Sequence, residues 1–89
     1  MNTLPRDFSA SRVWCDDDNL WVALRDGRQV STPLTYFPRL LKATPDQRKM
    51  FDLSGGGVGI HWDELDEDIS VAGILLLDVG DTTLLKKSA

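Results

Sequence analysis

The sequence predicts a small α+β domain: a three-stranded antiparallel meander, then two short helices, a fourth strand and an apolar C-terminal segment. Apolar residues alternate with period two across residues 12–34, and Asp26-Gly27 interrupts them. Alternation of this period is typical of half-buried strands, and Asp-Gly is typical of hairpins. Two helix starts follow at Pro38 and Pro45. A chain of 89 residues is the size of one domain.

The register of the meander follows from keeping its apolar residues on one face. A two-residue turn would pair Val22 with Ser31, whereas a three-residue turn at residues 25–27 pairs Val22 with Val30. Only the second is acceptable, because a slip of one residue turns every side chain over. A turn at residues 16–19 then pairs Val13 with Val22. The predicted apolar face comprises Val13, Cys15, Leu20, Val22, Leu24, Val30, Thr32 and Leu34.

A first helix is expected after Pro33, which ends the third strand because proline cannot donate to the ladder. Thr35 is its predicted cap, and Pro38 suits the first helical turn. Leu40 and Leu41 are predicted on the buried side.

A second helix is expected to start at Thr44. Pro45 suits its first position, and Gln47 completes a capping-box pattern with Thr44. The helix should end near Phe51, with Met50 and Phe51 directed inward.

The remaining chain alternates between loops and apolar segments. Residues 54–57 read as a glycine-rich mobile connector, because no Lys-Ser/Thr follows to make a phosphate-binding loop. Residues 58–62 are predicted as a fourth strand. Residues 69–79 suit a strand, a short helix, or both in succession. Residues 1–11 are a loose lead-in and residues 80–89 a flexible tail.

Composition and charge exclude several classes of protein. A formal net charge of −4 leaves no basic footprint over the chain as a whole, so direct nucleic-acid binding is not expected. A single cysteine makes neither an internal disulfide nor a multi-cysteine zinc site. No apolar run approaches the roughly 18 residues of a membrane span, and residues 1–10 lack a signal-peptide pattern. We therefore expect a cytoplasmic protein without metal, cofactor or membrane partner.

Several short motifs follow one another in a recognisable order. They are Asp26-Gly27-Arg28, Pro33-Leu34, Phe37-Pro38-Arg39-Leu40, Ala43-Thr44-Pro45, Arg48, Ile60-His61-Trp62 and residues 65–71. Together they resemble the bacterial domain-of-unknown-function family twenty-four forty-two (DUF2442), over about residues 13–76.

What the resemblance implies is an α+β domain without established catalytic residues. Some members carry a helix-turn-helix, which does not follow here, and many are encoded beside another small protein in the manner of a toxin–antitoxin pair. The motif residues are interpreted as structural: Asp26, Gly27, Arg28, Pro38, Arg39, Arg48, His61 and Trp62.

Trp14 and Trp21 are the first candidate for a functional site. The predicted register pairs them across two strands, on the face away from Val13 and Val22. Left open, they would form an apolar patch typical of interaction surfaces, and tryptophan is enriched in binding hot spots. The alternative is that a helix or the C-terminal segment covers them.

An acidic run is the second candidate. Its members are Asp63, Glu64, Asp66, Glu67 and Asp68. They would suit a basic partner, or would imitate phosphates and block a nucleic-acid-binding protein. The alternative is local pairing with Arg28, Arg39 or Arg48.

Three further features have simpler interpretations. His61 has too few nitrogen or sulfur neighbours in sequence for a transition-metal site, and a general base needs a nucleophile in reach. The run at residues 16–19 lacks the glycine and final glutamate of a calcium loop. Cys15 is predicted to be a buried small hydrophobe.

The sequence thus favours a non-catalytic protein-binding module, antitoxin-like or regulatory, that docks on a small partner protein or on a second copy. The predicted partner-binding residues are Trp14, Trp21, Asp66, Glu67 and Asp68. The alternative is a nucleic-acid-linked transcriptional regulator or an acidic inhibitor of a nucleic-acid-binding protein. A direct nucleic-acid contact would need a local patch made of Arg25, Arg28, Arg39, Lys42, Arg48 and Lys49.

Overall fold

Two three-stranded antiparallel sheets, joined by short helices, make up the part of the chain that the structure, a computed structural model, describes. This part is residues 8–77; the predictions for the start of the lead-in and for the tail at residues 80–89 lie outside it. The strands are β1 (Ala10–Cys15), β2 (Asn19–Leu24), β3 (Gln29–Pro33), β4 (Asp52–Ser54), β5 (Gly59–Trp62) and β6 (Glu67–Ser70). The helices are α1 (Pro38–Leu41), α2 (Pro45–Arg48) and α3 (Val71–Leu77).

Sheet A, with strand order β1-β2-β3, is the predicted meander. Val22 pairs with Val13 on one side and with Val30 on the other, as predicted from keeping the apolar residues on one face. The hairpin closes where the Leu24 amide donates to the Arg28 carbonyl at 2.8 Å. Gly27 has φ +97°, a left-handed conformation that costs glycine little. The predicted α+β class and register are therefore confirmed.

The first helix differs from its prediction in two details. A single 3-10 turn at Leu34–Tyr36 comes first, and Phe37 rather than Thr35 occupies the N-cap of α1, without a side-chain hydrogen bond. Leu40 is buried, but Leu41 is 45% exposed. One helical turn offers a single fully inward position, so the prediction that Leu41 is buried was wrong.

The capping box of α2 is confirmed. The Thr44 hydroxyl accepts from the Gln47 amide at 3.1 Å, and the Gln47 side-chain oxygen accepts from the Thr44 amide at 2.9 Å. Because α2 ends at Arg48, Met50 is not held on an inward face and is 60% exposed, contrary to its prediction. Phe51 is half-buried and packs against the core.

Sheet B, with order β4-β5-β6, contains the predicted fourth strand as β5. The sequence missed β4 and the first two residues of β6. All three residues of β4 are exposed, so no apolar alternation identifies it. The acidic pair Glu67 and Asp68 begins β6, and its charges gave no strand pattern. Residues 69–77 adopt the successive arrangement, with the strand ending at Ser70 and α3 following.

The glycine-rich segment predicted as a mobile connector is a four-residue hairpin turn, residues 55–58, between β4 and β5. Gly57 has φ +106°, and its carbonyl accepts from the Ala10 amide at 2.7 Å. A Cβ on Gly57 would stand 2.6 Å from the Ala10 carbonyl oxygen. The turn of sheet B is therefore docked directly on the first residue of sheet A.

One hydrophobic core serves both sheets. It comprises Ala10, Val13, Leu20, Val22, Leu24, Leu34, Phe37, Leu40, Ile60, Trp62, Ile69, Val71 and Ile74. Within residues 8–77, no helix is long and apolar enough to cross a membrane.

Candidate interaction surface

The face of sheet A turned away from the core carries the two surface tryptophans; we call it the tryptophan face. Trp14 and Trp21 lie directly opposite one another and are both half-buried. Their rings are parallel to within 2°, with centroids 5.9 Å apart. The guanidinium of Arg12 lies 4.4 Å from the Trp14 ring centroid. Arg12, Trp14 and Trp21 thus form a short stack on the surface.

The β1–β2 turn fixes the orientation of Trp21. Its indole N–H donates to a carboxylate oxygen of Asp16 at 2.8 Å. The other oxygen of Asp16 accepts from the backbone amides of Asp18 and Asn19, at 2.9 and 2.7 Å. These hydrogen bonds lower the pKa of Asp16, and the one from Trp21 has the largest effect. The side chain therefore stays ionised, and both carboxylate oxygens remain hydrogen-bond acceptors.

A small pocket of about 190 Å³ adjoins Trp14 at the edge of β1. Its lining residues are Val13, Trp14, Cys15, Asp16, Asp17, Pro45, Arg48, Lys49 and Phe51. Cys15 is half-buried here, and burial raises the pKa of its thiol, which disfavours the reactive thiolate. The pocket is smaller than the roughly 300–1,000 Å³ of most small-molecule sites. It extends the tryptophan face with an apolar recess.

Members of the acidic run contact several different residues of the same chain. Glu64 accepts from the Gln47 side chain at 3.0 Å. Arg39 donates to the carbonyl of Asp66 and lies 3.9 Å from its carboxylate. Burial raises the pKa of Glu67, and the charge of Arg39 partly offsets that effect. These residues lie at the β5–β6 hairpin, and share no hydrogen bond with the tryptophan face.

His61 stands between two carboxylates on the outer face of sheet B. Its Nδ1 is 2.6 Å from Asp68, its cross-strand neighbour, and its Nε2 is 3.4 Å from Asp63. The hydrogen bond to Asp68, and then that to Asp63, raises the pKa of His61. Across residues 8–77, no group of three or more His, Cys, Asp or Glu side chains is arranged to hold a metal.

Three arginines of the hypothetical basic patch contact other groups of the same chain. Arg28 donates to Asp26 at 3.1 Å within its own turn. Arg39 contacts Asp66. Arg48 donates to the carbonyls of Leu40 and Leu41 at 2.8 and 3.0 Å, and so closes the end of α1. These contacts leave a weaker footprint for phosphate than the sequence suggested.

The remaining motif residues serve the fold. Pro38 occupies the first turn of α1. Trp62 is fully buried, and its indole N–H donates to the Arg48 carbonyl at 3.0 Å. Phe51 lies against it with ring centroids 5.8 Å apart. The motif therefore links α1, α2 and β5.

Sequence reasoning found the tryptophan pair but missed its neighbours. Arg12 stands two residues before Trp14, so its place on the same face follows from strand alternation and was a usable signal. The pocket could not be predicted from the sequence, because β1 and α2 meet only in the folded molecule.

These features define a small α+β domain with a preorganised aromatic surface. The family model described as "Protein of unknown function (DUF2442)" matches residues 10–80, and the chain belongs to this family. No curated protein matches the chain significantly.

Two solved structures are similar to the chain. One is a protein of unknown function from Rhodospirillum rubrum, with 28% identity and a TM-score of 0.67, covering 84% of this chain and 92% of that one. The other is an uncharacterised protein from Chromobacterium violaceum, with 21% identity and a TM-score of 0.67. The match covers 89% of this chain and 74% of that one, and its likeness is one of fold alone.

Proposed function

We propose that this protein is a non-catalytic binding module whose tryptophan face docks on a small partner protein. The observation that carries the proposal is the stack of Trp14 and Trp21 outside the core, with rings parallel to within 2°. The family resemblance implies that the partner is a small protein encoded beside this one. The module would neutralise or regulate that protein.

The tryptophan face has the properties of a binding hot spot. Tryptophan supplies a large contact area, and burying the accessible part of a half-buried pair on binding is favourable. Asp16 and Arg12 hold the rings in place before any partner arrives. A preorganised surface loses little side-chain entropy on binding, which raises affinity. The recess beside Trp14 offers room for an apolar side chain of the partner.

Catalysis has less support in the geometry. His61 contacts carboxylates, and neither of its ring nitrogens is hydrogen-bonded to a hydroxyl or thiol among the described residues. It also does not line the pocket beside Trp14. A general base with no nucleophile hydrogen-bonded to it has no evident reaction to serve.

The test is co-expression of the tagged protein with each of its neighbouring gene products, followed by calorimetry on any purified complex. The informative variant is Trp14→Ser/Trp21→Ser. A matched control is Leu53→Ser/Val58→Ser, which removes two exposed apolar side chains of the β4–β5 hairpin that do not line the recess beside Trp14.

We expect the wild type and the control to bind alike, and the tryptophan variant to lose about 100-fold or more in affinity, a typical loss for two hot-spot residues. Retained circular dichroism would establish that the variant is folded. Equal binding by all three proteins would reject the tryptophan face. Self-association of the wild type, abolished in the same variant, would identify a second copy as the partner.

A further inference from the structure

We propose that the partner presents an arginine side chain whose guanidinium stacks on the open side of Trp21. This inference rests on the proposed docking function and names the chemistry that the tryptophan face recognises. It follows from the order of side chains across sheet A and from the charges at one end of that sheet.

The stack across sheet A is open at one end. Trp14 and Trp21 are directly opposite neighbours with parallel rings, so one side of Trp21 is turned to Trp14 on β1 and the other is turned away from it, toward β3. On β3, the residue directly opposite Trp21 is Ser31. Among residues 8–77, no second ring and no guanidinium lies against that side of Trp21. A serine in this place leaves a planar group room to lie beside the indole.

The same molecule already contains the interaction that we infer. The Arg12 guanidinium lies 4.4 Å from the centroid of the Trp14 ring. A cation over an indole is attracted by the negative face of the ring. A second guanidinium over Trp21 would repeat this contact on the other ring of the pair.

The charge beside Trp21 is negative. The Asp16 carboxylate accepts from the Trp21 indole N–H at 2.8 Å, and Asp17 and Asp18 follow it in the same turn. The side chains of Asp17 and Asp18 are exposed, and neither forms an ion pair within the described part of the chain. A cationic group stacked on Trp21 would therefore enter a favourable potential.

The outer side of β3 adds no competing positive charge. Its residues on this face are Gln29, Ser31 and Pro33. Arginine fits better than lysine, because its planar, weakly hydrated guanidinium stacks on aromatic rings, whereas an ammonium is compact and strongly hydrated. A nucleobase would stack equally well, but its phosphates would meet Asp17 and Asp18. The observations therefore favour a basic protein segment over a nucleic acid.

The experiment is a selection of short random peptides displayed on phage against the full-length protein, with Trp14→Ser/Trp21→Ser as the background. Selected peptides are then synthesised with each arginine unchanged, replaced by lysine, or replaced by citrulline, a neutral group of the same shape. Binding is measured by calorimetry at low salt. Asp17→Asn is compared with Asp52→Asn, which makes the same charge change on an exposed residue of β4.

We expect peptides that require the two tryptophans and share an arginine. Citrulline and lysine should each weaken binding about tenfold, which corresponds to about 1.4 kcal/mol. Asp17→Asn should weaken binding more than Asp52→Asn. The indole N–H resonance of Trp21 should shift on adding the arginine peptide.

Three results would overturn the inference. Peptides that need the tryptophans but bind equally with citrulline or lysine would reject arginine and leave the docking face intact. Selection of nothing above the variant's background would reject the docking face as well. Tighter binding of single-stranded oligouridine than of any peptide would assign the open side of Trp21 to a base.

Discussion

The three tryptophans of this chain occupy two opposite environments. Trp62 is fully buried, and its indole N–H is bound by the backbone carbonyl of Arg48. Trp21 is half-buried on the surface, and its indole N–H is bound by the side chain of Asp16. Both indoles are satisfied, but only Trp62 belongs to the core. A hydrogen-bonded indole N–H therefore does not by itself mark a tryptophan of the core.

Removing Trp62 should have the largest effect on stability. Trp62→Ala leaves a cavity and an unpaired carbonyl, and should lower the free energy of unfolding by about 3–5 kcal/mol. Because such a loss approaches the whole stability of a small domain, Trp62→Phe provides a milder second variant. Urea denaturation followed by circular dichroism measures both. A loss below that of Trp21→Leu would break the distinction between the two environments.

The seam between the two sheets should be nearly as sensitive. Gly57→Ala forces a Cβ against the Ala10 carbonyl, whereas Gly56→Ala at φ +73° meets nothing within 4 Å. Both substitutions strain a left-handed residue, by about 1 kcal/mol. The close approach should make Gly57→Ala worse by a further 1–3 kcal/mol or so. Equal urea midpoints for the two variants would show that the contact at Ala10 is unimportant.

Changes on the tryptophan face should barely alter folding. Trp21→Leu removes a stacked ring from a solvent-facing cross-strand pair, and such pairs contribute about 1 kcal/mol or less. The variant should therefore keep nearly the wild-type urea midpoint while losing partner affinity. If Trp21→Leu unfolds the protein, the ring supports the fold and the proposed division of roles fails.

The outer face of sheet B should give the smallest and most conditional effect. The hydrogen bonds that His61 donates to the carboxylates of Asp68 and Asp63 raise the pKa of His61 above its ordinary value. A raised folded-state pKa stabilises the protein fully below the unfolded pKa of about 6.5, and this contribution is lost as pH rises through the folded value. The urea midpoint should therefore fall over that interval, and His61→Gln should remove this part of the pH dependence. A wild-type midpoint that rises there would contradict the assignment.

Part of the fold could be predicted because strand parity is a strict constraint. Only one turn length at Asp26-Gly27 kept Val22 and Val30 on one face, and the structure has that pairing. Local patterns failed where tertiary contacts decide. The exposed strand β4 exists because it pairs with β5, and Met50 is exposed because α2 stops at Arg48.

The candidate surface was predictable to the same extent. Trp14 and Trp21 follow from the register alone. The recess beside Trp14 required the docking of α2 on β1, and the pairing of His61 with Asp68 required β6. Acidic residues that looked available in sequence contact Gln47 and Arg39 in the folded molecule. The sequence could not show these contacts, because the partners are distant in the chain.

Acrylamide quenching of tryptophan fluorescence measures how open the tryptophan face is, and a neutral quencher is not repelled by the nearby aspartates. The wild type is compared with Trp14→Phe/Trp21→Phe, which leaves the buried Trp62 as the sole tryptophan. We expect strong quenching of the wild type, and weak quenching with blue-shifted emission in the variant. Quenching of the wild type as weak as that of the variant would show that the tryptophan face is covered and is not a docking surface.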